Sequence, residues 1–67
     1  MSGWSFDYQD SMGPGTAPVS TSKEAAIELA AARYRQGARI IRIYGPNGEG
    51  VPLDEFEAWK KANPNRW

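Results

Sequence analysis

The chain has 67 residues, eight Lys+Arg against eight Asp+Glu, and neither His nor Cys. Those absences exclude disulfides, thiolate nucleophiles, imidazole acid-base chemistry and every Ser-His-Asp or Cys-His arrangement. They also leave zinc only carboxylates, which suit hard cations better, so no metal and no cofactor are expected. A domain near this size buries only about 60% of the surface its unfolded chain exposes. Self-association or a partner surface is therefore the expected source of added stability.

No basic segment leads into an apolar run near the start, and nowhere do about 18 apolar residues follow one another. The expectation is a soluble cytoplasmic chain with no membrane partner. It forms one small domain over 1–67, with 1–3 and 64–67 frayed.

From Trp4 to Tyr8, apolar and polar residues alternate, the period of a strand with Trp4, Phe6 and Tyr8 on one face. Two glycines and two prolines then fall between Ser11 and Pro18, so 11–18 reads as a flexible loop. Ala17 to Ser20 offers a short edge strand. Thr21-Ser22-Lys23-Glu24 fits a capping box with Thr21 as the cap. The Ala-rich helix it opens should run to Gln36 and stop at Gly37, with Ile27 and Tyr34 as its main core contacts.

Ala38 to Tyr44 is β-branched and short, hence a strand, with Ile41 and Ile43 on the core side and Ile40, Arg42 and Tyr44 on the other. Gly45-Pro46-Asn47-Gly48 suits a type I turn, and Glu49 to Val51 returns as a short strand ended by Pro52. Asp54 and Glu57 suggest a second capping box, opening a helix to about Asn63 with Phe56 and Trp59 as an apolar pair and Glu57 reaching Lys61. The fold class is α+β: an antiparallel sheet of three or four strands, the Ala-rich helix on one face, and a short C-terminal helix.

The Gly45 to Gly50 segment lacks the Lys-Ser/Thr pair of a phosphate loop, and in an EF-hand register both end positions lack carboxylates. Carboxylates, Lys and Tyr are the only candidate acids and bases, and none falls in a cleft-forming motif, so no enzyme is expected. Charge is segregated: residues 23–44 carry a net +3 and residues 45–58 a net −4. Eight aromatic residues exceed what one small core easily hides. These features point to a stoichiometric binding protein whose partner is another protein or a second copy of the chain. Arg and Tyr are enriched at binding hot spots, and the contact residues expected are Trp4, Tyr8, Arg39, Arg42 and Tyr44. The alternative is RNA or single-stranded DNA on Arg33, Arg35, Arg39 and Arg42, which the acidic block at 49–57 opposes. A third reading is a small nucleotide sequestered at a dimer interface.

Trp4-Ser5-Phe6, Thr21 to Ala26, Gly37-Ala38 and Gly45 to Gly48 together resemble a family of small bacterial and phage proteins. The resemblance implies a hairpin, a helix and a second hairpin, and no activity. The chain departs from that pattern in its Pro/Gly-rich first connection and in the helix added after Leu53. In type it is similar to compact phage-encoded inhibitors of bacterial defence systems, which implies action by occluding a partner's surface or sequestering a small signal.

Overall fold

In the computed structural model, which describes residues 3–67, Ser22 caps the first helix. Its backbone is extended and its Oγ accepts from the Ala25 N–H at 3.1 Å. The Thr21 box expected from the sequence is therefore displaced by one residue. That frees Glu24 to point away from the cap, toward Arg66 at 3.2 Å. Helix α1 (Lys23–Arg35) ends where Gly37 takes φ +101°, a conformation that side-chain-bearing residues rarely adopt. Its alanines let it lie close on the sheet: Ala26, Ile27, Ala30 and Ala31 are buried. Tyr34, expected in the core, is 45% exposed and packs against Phe56 with the two rings nearly perpendicular, at 87°.

Strands β1 (Ser5–Asp10), β2 (Gly13–Thr16), β3 (Arg39–Tyr44) and β4 (Gly50–Val51) form one antiparallel sheet in the order β2-β1-β3-β4. The chain thus builds a hairpin, a helix, a second hairpin and then α2 (Leu53–Ala62). The segment read as a flexible loop contains β2, a correction. Asp10 folds its carboxylate over the Met12 N–H at 2.8 Å, and Gly13 takes φ +111°, so the turn is made by an Asp and a Gly flanking two unconstrained residues. Pro14 is tolerated because β2 is an edge strand. Gly15 faces Tyr8, whose ring occupies the space a Cβ would fill.

The largest departure lies in β3. Asp7 pairs with Arg42 and Tyr8 with Ile40, leaving Ile41 opposite no residue. This β-bulge advances the alternation by one. Ile40 and Ile43 are buried, at 6% and 1% exposure, while Ile41 is 46% exposed. The expected core pair of Ile41 and Ile43 is corrected to Ile40 and Ile43.

Helix α2 starts at Leu53 with Pro52 as its cap, two residues ahead of the expected Asp54 cap, because the Pro52 carbonyl already accepts from the Glu55 and Phe56 N–H groups. Phe56 is buried in the same core as Phe6, Ile27, Ile40, Ile43 and Val51, so both helices lie on one face of the sheet. Lys60, not Lys61, meets Glu57, at 3.1 Å. The C-terminal segment expected to fray makes contacts with both helices. Arg66 bridges to Glu24 and Glu28 on α1, and the Trp67 indole donates to the Lys60 carbonyl at 3.1 Å. Of the N-terminal segment expected to fray, residues 1 and 2 lie outside the described residues.

Candidate functional site on the open sheet face

With both helices on one side, the opposite face of the sheet carries side chains alone. The β1 alternation that buries Phe6 turns Asp7 onto this face, where Thr16 of β2 stands opposite it on one side and Arg42 of β3 on the other. The Asp7 carboxylate collects three donors: Thr16 Oγ1 at 2.9 Å, Arg42 Nε at 3.0 Å and Tyr44 Oη at 3.2 Å. Partial burial acts to raise the Asp7 pKa, but the bonds from Thr16, Arg42 and Tyr44 and the Arg42 charge outweigh it. Its carboxyl is held below the ordinary aspartate value.

Arg42 is fixed in two ways. Nε is bound by Asp7, and the guanidinium carbon stands 5.0 Å from the centroid of the Tyr44 ring. Its side chain nevertheless remains 69% exposed, so the terminal nitrogens are open to a ligand. The bulge sets Ile41 beside it on a shallow hollow shared with Pro14 and Thr16. An apolar and a cationic group, consecutive in sequence, therefore face the same way.

The residues expected to make contacts do not all share this surface. Arg42 and Tyr44 are on it, and Arg39 is exposed at its end, opposite Gln9. Trp4 and Tyr8 pack against the core on the helical side. The Trp4 ring covers Gly45, and Tyr8 lies beneath the Arg33 guanidinium, 5.1 Å from the ring centroid. The arginines considered for nucleic acid are also divided. Arg33 and Arg35 belong to α1, where Arg35 donates to the Trp67 carbonyl at 2.9 Å, whereas Arg42 is on the far face and paired. They do not form one continuous patch.

Asp7, Thr16 and Ile41 were missed as site residues. Asp7 carried a signal: it is the charged member of an alternating strand, and pairing two hairpins places it beside a basic strand. Ile41 carried none, because a bulge depends on pairing across the sheet.

Among the described residues, no group of carboxylates could hold a metal ion, and no helix is long and apolar enough to cross a membrane. No protein-family model, curated protein or solved structure matches the chain.

Proposed function

We propose that this chain is a stoichiometric protein-binding module that acts by covering part of a partner's surface with its open sheet face. The observation that carries this reading is the bulge at Ile41, which turns Ile41 and Arg42 together onto the face opposite the helical core, next to Tyr44, with Leu53 at the start of α2 sharing a hollow with Ile41. Pro14 lies within the edge strand β2 and has no N–H to pair with an added strand, which disfavours binding along that edge and leaves the face as the larger surface on offer. Interfaces centre on a few anchors in which Tyr and Arg are enriched, and Ile41 adds apolar area between them. Occlusion by a compact, stapled-down surface is also how an inhibitor of a larger protein would work.

The test is quantitative capture by immobilised chain, followed by calorimetric titration of the recovered partner. Wild type should bind one partner per chain. Arg42→Ala/Tyr44→Ala should lose the partner with an unchanged circular dichroism spectrum, while Leu29→Lys, on the exposed side of α1, should retain it. A partner lost on Leu29→Lys and kept by the double variant would place the contact surface on the helices and overturn the reading.

A further inference from the structure

We infer that Arg42 is a preorganised receptor for a single carboxylate, and that the partner presents an Asp or Glu side chain next to an apolar one that seats on Ile41. This rests on the sheet-face reading above. A free arginine side chain must be immobilised on binding, at a cost in rotamer entropy. Here Asp7 already holds Nε, and Tyr44 already supports the guanidinium plane. Tyr44 in turn donates its hydroxyl to the same Asp7 carboxylate, so ring and guanidinium are held through one anchor. What remains for a ligand is the edge formed by the two terminal nitrogens, which matches the two oxygens of a carboxylate in a paired, parallel geometry.

The charge balance selects the ligand class. Asp7 stands directly behind Arg42, so the pair sums to zero and presents one cationic edge backed by one anion. A carboxylate monoanion is matched by that edge, whereas a phosphate dianion would feel the Asp7 charge across the guanidinium with no second cation to offset it. Arg39, at the far end of the same strand, is separated from Arg42 by Ile40 and Ile41, and Arg33 and Arg35 are on the helix. A nucleic-acid backbone needs successive cations along its track, and this face offers Arg42 in the network and Arg39 at the far end of the strand, with no third to continue it. Ile41 then sets what adjoins the acid: an apolar side chain gains by covering it, and a charged one does not.

The experiment is side-chain NMR of the whole chain, following the Arg42 guanidinium and Ile41 methyl resonances. Three probes are titrated: acetyl-Leu-Glu-amide, acetyl-Leu-Gln-amide and inorganic phosphate. The Glu peptide should give saturable shifts at both residues, at least about tenfold tighter than the Gln peptide or phosphate. Arg42→Lys, which keeps the charge but not the paired geometry, should lose most of that preference. Asp7→Asn should narrow the preference for the Glu peptide over phosphate, because the anion behind the guanidinium is gone, and speed solvent exchange of the Arg42 Nε proton, the sign of a released side chain. Equal response to Glu and Gln, a larger response to phosphate, or a silent Arg42 up to the solubility of the peptide would each overturn the carboxylate assignment. The Ile41 methyl separates the two levels. If it moves while Arg42 does not discriminate, the sheet face still binds and only the ligand chemistry is wrong. If only helix-side resonances move, both readings fall.

Discussion

The Lys60 ammonium lies 3.4 Å from the centroid of the Tyr34 ring, joining α2 to α1 through a charge and an aromatic face. Phe56 and Trp67 complete the surround, with centroids at 4.7 and 5.4 Å, and Glu57 meets the ammonium at 3.1 Å. Lys60 is only 5% exposed, so its four-carbon stem fills space that an apolar residue would otherwise occupy. Lys60→Ala removes both stem and cation and should destabilise by about 2–3 kcal/mol. Lys60→Met keeps most of the volume. It gives up the ring attraction but no longer buries a charge, and should fall nearer to wild type than to Ala. Urea unfolding of the three proteins checks the order, and an Ala variant as stable as wild type would show that Lys60 spends its time in solvent.

Asp7 makes stability depend on acid in a defined direction. Hydrogen bonds and the Arg42 charge hold its carboxyl below the ordinary value of 3.8, so the folded state favours the ionised form more than the unfolded state does. That contribution is present in full above the unfolded value and is lost as pH falls through the lower folded one. Urea midpoints at about pH 7 and about pH 3 should therefore differ more for wild type than for Asp7→Asn. An equal difference in both proteins would mean that other carboxylates carry the acid response.

Trp67 shows why one part of the chain was legible and another was not. Gly37 and the Pro46-Asn47-Gly48 turn act through their own backbones, and Gly37 and Gly48 take φ +101° and +83° where the sequence places a helix stop and a turn. The docking of Trp67 depends on Tyr34, 33 positions earlier, and on a lysine whose burial is not encoded in its residue type. A faint signal existed, since Leu53, Phe56 and Lys60 follow the spacing of one helical stripe. Arg66, bonded to two half-exposed glutamates, should contribute less than about 1 kcal/mol, as exposed ion pairs generally do. Trp67→Ala should cost more than Arg66→Ala, because it strips a ring from both Tyr34 and Lys60. Thermal melts of the two variants check the ranking, and the reverse order would mean that the bridges to α1, not the indole, hold the tail.

Gly15 and Gly45 both lie beneath aromatic rings. A Cβ at Gly15 would fall 2.9 Å from the Tyr8 ring, and one at Gly45 2.9 Å from both the Trp4 ring and Glu49 Oε1, the latter at the end of a flexible side chain. Neither backbone has a positive φ, so the cost of Ala there is displacement of a ring rather than backbone strain. Overpacking of this kind costs about 1–3 kcal/mol. Gly45→Ala should therefore destabilise and shift Trp fluorescence as Trp4 leaves its seat. Gly37→Ala, where no atom lies within 4 Å, should cost about 1 kcal/mol through its backbone alone and leave the fluorescence unchanged. Identical spectra for the two variants would refute the distinction.

Ile40 and Ile41 place the bulge itself under test. Strict alternation along β3, counted back from the buried Ile43, assigns Ile41 to the core and Ile40 to solvent, and composition cannot choose between two adjacent isoleucines. The choice is made across the sheet, where Asp7 takes Arg42 and Tyr8 takes Ile40, so the strand accommodates one extra residue between them. An ion pair and a buried contact both follow from that register. Ile40→Ala should cost about 2–4 kcal/mol, as removal of a buried isoleucine does, and Ile41→Ala within about 0.5 kcal/mol. The consequence for binding is opposite in sign: Ile41→Ala should weaken partner capture while leaving stability intact. Equal destabilisation by the two substitutions would mean that β3 alternates regularly, and Ile41 and Arg42 would then no longer share the open face.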